Sequence, residues 1–156
     1  MKRLWAPWRI GYILGDKAPN GCVFCRKGAS KDDRADLVLE RGAHAYVLLN
    51  TFPYNPGHLM VAPYVHVALP AELPVETQHE LWDLTVKWQC RLVSVMKAGG
   101  VNVGINLGAV AGAGIIDHMH VHLVPRWQGD TNFMSTAGDT RVMSQALEEL
   151  YDKLKP

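Results

Sequence analysis

The chain has 156 residues, of which 48% are apolar and 20% charged, and its formal net charge is +1. This length and composition are ordinary for one soluble globular domain, which we predict to span residues 1–156. A net charge near zero without a basic run argues against an extended nucleic-acid-binding surface. No segment approaches the length of a membrane span, so no membrane partner is expected.

Residues 1–21 form the first predicted segment, an irregular N-terminal arm that lies over the body of the protein or over a partner subunit. It contains two tryptophans and two prolines and no continuous apolar stretch, so we do not expect a signal peptide. The whole chain has three cysteines. This number is small and odd, which argues against a disulfide framework. These features favour a cytoplasmic protein.

The middle of the chain predicts several strands and one long helix. Residues 21–25 are predicted as a tight knuckle and residues 26–35 as a charged loop. Strands are expected over 37–40, 44–49, 58–62 and 101–106. Between 75 and 98, apolar residues recur at helical spacing and predict a helix that ends before Gly99 and Gly100: Leu81, Leu84, Trp88, Leu92 and Val95.

The most informative segment is a row of three alternating histidines, His118, His120 and His122, separated by Met119 and Val121. On a strand, alternate side chains point to opposite faces, so the three imidazoles share one face. Neighbouring imidazoles then lie about 7 Å apart, from a rise of roughly 3.3 Å per residue. Imidazole is a nucleophile, a proton carrier and a metal ligand near neutral pH.

The last predicted element is an amphipathic helix over residues 141–155, capped by Asp139 or Thr140. Consecutive strands are joined by short loops around one long helix, without a βαβ alternation. This pattern favours an α+β fold, with an antiparallel sheet of about five strands, one long helix and a C-terminal helix.

Two motifs resemble the signature of the histidine-triad (HIT) superfamily. The histidine row reads HMHVHLV, and upstream of it NTFPYNPGHLMVAP contains a Pro-Gly-His followed by an apolar strand. The stretches LWAPWR (4–9) and RWQGDTNFM (126–134) look like the bacterial branch that cleaves diadenosine polyphosphates. The resemblance spans roughly residues 22–127 and implies a HIT-like fold.

The resemblance also implies an activity, the cleavage of dinucleoside polyphosphates such as diadenosine tetraphosphate by a hydrolase or nucleotidyltransferase. The middle histidine, His120, would attack the α-phosphorus and form a nucleotidyl-histidine, which a neutral imidazole can do without prior deprotonation. His122 and His58 would contact the phosphoryl oxygens and the leaving group. Asn106 would face the phosphate, and Asn50 would bond the ribose.

The glycine–alanine loop 108–114 is expected to approach an anion with backbone N–H groups, at Gly112 and Gly114, because glycine lacks a Cβ. Many relatives carry Gln followed by Ser or Thr just before the triad, where this chain has Gly114 and Ile115. This departure leaves both water and phosphate open as the acceptor. The resemblance to this family also implies a homodimer.

Cys22 and Cys25 have the spacing that places two thiolates on one Zn²⁺. Candidate partners are His66 and His118, and the same resemblance implies zinc on a CxxC, a histidine after the Gly-His strand and the first histidine of the triad. A Cys₂His₂ site has no open position, so the zinc would be structural. An unliganded thiol pair and a redox pair are the alternatives.

Three other hypotheses compete with this interpretation. His120, His122 and His58 could chelate a catalytic metal, but the only carboxylate near them in sequence, Asp117, is predicted on the opposite face, so no catalytic metal is expected. The same nucleophile could serve a nucleoside phosphoramidate or acyl-nucleotide hydrolase. A zinc-stabilised nucleotide-binding module without turnover would belong to a different functional class.

Overall fold

The computed structural model describes residues 21–130 and 145–156. Its centre is a five-stranded sheet in the order β1-β2-β3-β5-β4, in which every neighbouring pair is antiparallel. The strands are β1 (Val38–Arg41), β2 (Ala45–Leu49), β3 (Leu59–Pro63), β4 (Gly100–Ile105) and β5 (Val121–Arg126). The predicted α+β class with about five strands is confirmed, and the boundaries of β1 to β4 differ from the predicted ones by one residue.

Four helices accompany the sheet in the described residues: α1 (Val23–Ala29), α2 (Asp33–Asp36), α3 (Val75–Met96) and α4 (Leu147–Leu154). Two short 3₁₀ turns cover Pro70–Glu72 and Ala109–Ala111. The predicted long helix and C-terminal helix are therefore both present. None of the helices in these two ranges has the length and apolarity that would be needed to cross a membrane.

The prediction of a knuckle and a loop over residues 21–35 is wrong, because this segment contains α1 and α2. Cys22 is the N-cap residue of α1, and Phe24 and Lys27 are its buried residues. These two residues are spaced by three and lie on one helical face. The sequence did not predict this helix, because its charged residues leave no apolar pattern: only one of the two buried positions is apolar.

The C-terminal helix is shorter than predicted. It begins at Leu147, and Ala146 before it has extended backbone angles, so residues 145–146 do not continue a helix back to 141. The predicted caps at 139 and 140 lie outside the described residues, as does the N-terminal arm up to residue 20.

The histidine row is only partly a strand, because β5 begins at Val121. The neighbouring strand β3 ends at Pro63, which has no N–H to donate to a ladder. Met119 instead donates its N–H to the carbonyl of Val67, at 2.8 Å. The chain through His118 and His120 is therefore held outside the regular sheet.

The sheet has two covered faces, and the alternation of side chains decides which groups meet on each. Met119, Val121 and Leu123 pack with α3 and α4 in the larger apolar cluster. The other face carries a smaller cluster built around Phe24 of α1, together with Val38, Tyr46, Leu48, Met60 and Ala62. The predicted alternation is therefore correct, and the histidines lie on the face that α1 covers.

Candidate active site and metal centre

His120 is held in one tautomer by a backbone carbonyl. Its Nδ1 lies 3.0 Å from the carbonyl oxygen of His118, and because that oxygen can only accept, Nδ1 must carry the hydrogen. The other ring nitrogen, Nε2, then keeps its lone pair. The side chain is 6% exposed, and this burial lowers the pKa of His120, so the imidazole is neutral at pH 7.

His58 and His122 form a chain of hydrogen bonds whose direction is fixed at one end. The backbone N–H of Tyr54 donates to Nδ1 of His58 at 3.0 Å, so the hydrogen of His58 sits on Nε2. That Nε2 lies 2.9 Å from Nδ1 of His122 and donates to it. The hydrogen of His122 is therefore on its own Nε2, ready to be donated to a bound anion.

Both of these histidines are neutral at physiological pH. Burial lowers the pKa of His58 to about 3, with smaller contributions from His122 and His120. Burial and the nearby His120 lower the pKa of His122 to about 4. The site thus holds a lone pair on His120 and a neutral N–H donor on His122, in rings whose centroids are 4.7 Å apart.

His58 is fully buried, at 0% exposure, because it enters the central strand β3 and the ring of Tyr54 packs on it at a centroid distance of 4.6 Å. Its Nε2 is bonded to His122, and its predicted contact with the substrate stays a prediction. The rings of His120 and His122 are 4.7 Å apart, edge to face, which is closer than the spacing predicted from strand rise alone.

The two predicted asparagines each follow a strand of the sheet. Asn50 follows β2, accepts the N–H of Phe52 at 2.9 Å, and has its Nδ2 3.4 Å from Nδ1 of His58. Asn106 follows β4, whose last residue Ile105 pairs with Val121 next to His120. Contacts of either asparagine with a nucleotide stay a prediction.

The glycine loop contains a 3₁₀ turn that ends at Gly112. Gly112 has a φ of +88°, which explains the glycine, and its N–H donates to the carbonyl of Ala109 at 3.0 Å. The expected contact of Gly112 with an anion stays a prediction. Gly114 is exposed, and its expected contact with an anion stays a prediction.

The four predicted metal ligands, Cys22, Cys25, His66 and His118, lie together, with all four ligand atoms within 4.8 Å of one another. The two Nδ1 atoms are 3.2 Å apart. Nδ1 of His118 lies 3.3 Å from Sγ of Cys22 and 3.5 Å from Sγ of Cys25. In a tetrahedral zinc site, nitrogen ligands lie about 3.3 Å apart, and nitrogen and sulfur about 3.5 Å. The donor set and its spacing therefore fit this ion.

The tautomer of His118 also suits a metal. Its Nε2 lies 2.9 Å from the carbonyl oxygen of Pro63 and must donate to it, which leaves the lone pair of Nδ1 directed at the two cysteines. Ligating histidines are commonly oriented by a hydrogen bond of this kind to the second ring nitrogen. The side chain of His118 thus belongs to the Cys/His cluster, whereas its backbone carbonyl orients His120.

Two residues near the histidines were missed by the sequence analysis. Phe24 packs against the rings of both His118 and His120, at 5.2 and 4.6 Å between centroids. Tyr54 packs on His58 and His122 and supplies the N–H that fixes their tautomers. A signal was present for Phe24, which stands between the two cysteines, but none distinguished Tyr54 from the other residues of its turn.

Comparison with known proteins identifies the family of this chain. A family model described as "HIT domain" matches residues 31–129, more than half of the sequence. The chain belongs to the HIT family. The AP-4-A phosphorylase of Mycobacterium tuberculosis (strain H37Rv) is 38% identical over 156 residues, covering 96% of this chain and 80% of the relative. An uncharacterized HIT-like protein of Methanocaldococcus jannaschii is 34% identical over 112 residues, covering 70% and 81%.

Solved structures of the HIT family show the same fold. A zinc-bound histidine triad family protein from Mycobacterium smegmatis aligns with a TM-score of 0.69 and 24% identity, covering 86% of this chain and 91% of the other. The diadenosine triphosphate hydrolase of Plasmodium falciparum, in complex with Cyclomarin A, aligns with a TM-score of 0.64 and 21% identity, covering 80% and 76%. The resemblance to the HIT family is thus confirmed, and the expectation of an enzyme agrees with the name of the mycobacterial relative.

Proposed function

We propose that this HIT-family chain is an enzyme that cleaves dinucleoside polyphosphates, such as diadenosine tetraphosphate, through a covalent nucleotidyl-histidine on His120. The observation that carries the proposal is the fixed tautomer of His120, whose Nδ1–H is bonded to the His118 carbonyl at 3.0 Å. This bond leaves Nε2 as a neutral nucleophile. The 38% identity to a protein named AP-4-A phosphorylase supports the substrate class.

The first step transfers a nucleotidyl group to the protein. The Nε2 lone pair of His120 attacks the α-phosphorus, a P–N bond forms, and the P–O bond to the nucleoside polyphosphate breaks. His120 becomes an imidazolium in the process, and the His118 carbonyl that accepts its Nδ1–H stabilises the new charge. The Nε2–H of His122 donates to the oxygen on which negative charge develops.

The second step releases the nucleotide to an acceptor, for which we propose inorganic phosphate. An oxygen of phosphate attacks the α-phosphorus, the P–N bond breaks, and its electron pair returns to Nε2 of His120. The family resemblance implies polar side chains where this chain has Gly114 and Ile115, and the similar mycobacterial protein is named a phosphorylase. Both observations favour phosphate over water.

Product analysis tests this choice directly. Incubation with diadenosine tetraphosphate and phosphate is expected to yield ATP plus ADP, because the adenylyl group passes to phosphate. Hydrolysis would yield ATP plus AMP at a rate independent of phosphate, and would overturn the choice of acceptor. Conversion of a nucleoside phosphoramidate with no cleavage of the dinucleotide would contradict the substrate class.

Substitution of the nucleophile tests the covalent step. His120→Ala should lower kcat by roughly 10³-fold or more, because the only lone pair aimed at phosphorus is lost. It should also abolish the nucleotide adduct that mass spectrometry detects on acid-quenched wild-type protein. His44→Gln removes an exposed histidine outside the site and serves as the matched control. Retention of a tenth of wild-type turnover by the alanine variant would contradict the assignment.

We further propose that Cys22, Cys25, His66 and His118 hold a structural zinc ion. The donor spacing supports this site, and four protein ligands leave no position for a reactive water. The ion would tie α1 to the loop after β3 and to the start of the histidine row. Zinc-bound thiolates and a free Cys90 fit a reducing compartment, so we propose a cytoplasmic location.

We also propose that the protein is a homodimer joined along β4 and α3. In the described residues β4 is the last strand of the sheet, and Val103 and Ile105 are exposed on it. One flank of α3 carries exposed apolar residues at intervals of seven and four: Val75, Trp82, Val86 and Val93. The opposite flank is occupied, because Lys87 and Arg91 bond to β1 and α4. The apolar flank therefore lies on the β4 side.

A further inference from the structure

Phe24 lies between the metal centre and the nucleophile. It is 2% exposed, and its ring contacts the imidazole of the ligand His118 and that of the nucleophile His120, at centroid distances of 5.2 and 4.6 Å. Aromatic and imidazole rings at such distances restrict one another's orientation. No other residue among those described touches both of these rings in this way.

The position of Phe24 is fixed by three anchors on a short helix. Its sequence neighbours Cys22 and Cys25 are ligands of the proposed zinc site, and its carbonyl accepts the hydroxyl hydrogen of the buried Tyr46 at 2.7 Å. The helix α1 that carries it has seven residues, too few to be stable without tertiary or metal contacts. The placement of the Phe24 ring therefore depends on the metal centre.

A nucleophilic imidazole needs more than one restraint. The hydrogen bond from Nδ1 of His120 to the His118 carbonyl fixes the tautomer, but the χ2 torsion of histidine is broad and allows the ring to swing about it. The Phe24 ring blocks that swing on the α1 side, and the ring of His122 stands edge-on at 4.7 Å. Together these contacts hold Nε2 in one direction.

We propose that Phe24 is a positioning residue for the imidazole of His120 and that it couples loading of the Cys/His metal centre to the orientation of the nucleophile. The second contact between the two centres is the backbone of His118, whose side chain lies in the metal centre and whose carbonyl holds His120. This inference rests on the proposed function for its kinetic consequence, but the orientation of the ring can be measured without turnover.

The kinetic test is Phe24→Leu, with Phe24→Met as a second variant whose unbranched side chain can adapt to the space that the ring leaves. Both should lower kcat by about 10- to 100-fold, because a small misplacement of a reacting group has this cost, and should leave KM within about twofold. Leu48→Ala is the matched control, since it removes volume from the same apolar cluster. If Leu48→Ala lowers kcat as much as the Phe24 variants at equal loss of stability, the role is merely structural and the proposal fails.

The coupling test follows the His120 ring by ¹⁵N–¹H NMR of histidine-labelled protein at fixed pH, with zinc content measured on the same sample. Zinc-loaded wild type should show one His120 Nδ1–H signal that is protected from exchange with water. This protection should be lost in zinc-loaded Phe24→Leu and in chelator-treated wild type, because a ring that swings about χ2 breaks its hydrogen bond to the His118 carbonyl. Treatment of Phe24→Leu with chelator should then change the His120 signal little further. A wild-type His120 signal that is the same with and without zinc would overturn the coupling. Additive effects of chelator and of the Phe24→Leu substitution on that signal would overturn it as well. A wild type without nucleotide turnover would instead refute the proposed function and leave this spectroscopic result standing.

Discussion

The chemistry of single residues in this site is decided by which ring nitrogens carry hydrogen. One backbone carbonyl, of His118, and one backbone N–H, of Tyr54, set the tautomers of three imidazoles. Backbone groups cannot change their roles as donor or acceptor. The lone pair of His120 and the donor hydrogen of His122 are therefore built in before any ligand arrives.

The depressed pKa values of the buried histidines predict how stability depends on pH. His58 has a pKa of about 3 in the folded state, against roughly 6.5 in an unfolded chain. Below pH 6.5 the unfolded chain binds a proton that the folded protein does not, so the free energy of unfolding falls as the pH drops from about 6.5 toward 3. Urea unfolding at pH 7.5 and 5.0 measures the difference.

The contribution of His58 is isolated by its replacement with glutamine. His58→Gln is expected to reduce the loss of stability between pH 7.5 and 5.0, whatever its effect at neutral pH, because the group with the strongly lowered pKa is removed. An unchanged pH difference in His58→Gln would show that this group titrates normally in the folded protein.

The sequence predicts the residues of the site better than their contacts. Alternation places His118, His120 and His122 on one face, and the structure agrees. The burial of His58 behind His122 could not be foreseen, because it depends on the register in which Met60 pairs with His122. Register between strands more than sixty residues apart is set by packing and turn geometry rather than by either motif.

Among the elements, α1 has the largest effect on the site for its size. Its N-terminal turn brings Cys22, Phe24 and Cys25 over the sheet, so this short helix and its N-cap residue carry two members of the Cys/His cluster and the ring that packs on His120. A CxxC motif predicts two metal ligands but not the backbone conformation that carries them. Both a knuckle and a helical turn bring two thiols at this spacing together. The outcome depends on Phe24 and Lys27, which are buried beneath the helix.

Loss of one ligand tests the structural role of the metal centre. Cys25→Ser should lower zinc content well below one equivalent and lower Tm by at least about 5 °C, equivalent to roughly 2 kcal/mol for a chain of this size. Elemental analysis and a thermal scan give the two values. Cys90→Ser, at an exposed cysteine outside the cluster, should change neither. Wild-type protein purified without chelator that contains no zinc would refute the metal centre itself.

At the scale of the whole molecule, the described surface is asymmetric. Hydrogen bonds from Trp88 to Glu40 of β1 and from Arg91 to the Leu154 carbonyl of α4 cover one flank of α3, whereas another flank exposes Trp82 at 61% and Val86 at 44%. Exposed apolar residues that continue from a helix onto an unpaired edge strand are typical of a protein–protein interface. The sequence predicts the helix but not this asymmetry. Its apolar residues can be sorted into buried and exposed ones only when the face that packs on the sheet is known.

A charge on the apolar flank should therefore separate the subunits. Trp82→Glu is expected to convert a dimer into a monomer at micromolar concentration, because a buried carboxylate without a partner costs several kcal/mol. Sedimentation equilibrium measures the mass of each form. Ser94→Glu adds the same charge on another flank of α3 and should stay dimeric. A monomeric wild type at the same concentration would argue against the interface.

The enclosure of His58 has a practical consequence for ligand discovery. A ring N–H that is buried and bonded to a second imidazole is expected to exchange slowly with water and to give a downfield proton resonance. We expect that resonance to respond to a ligand on the far nitrogen of the neighbouring His122 ring. Fragment libraries could thus be screened against the native protein by one-dimensional spectroscopy, with no label, no substrate and no turnover.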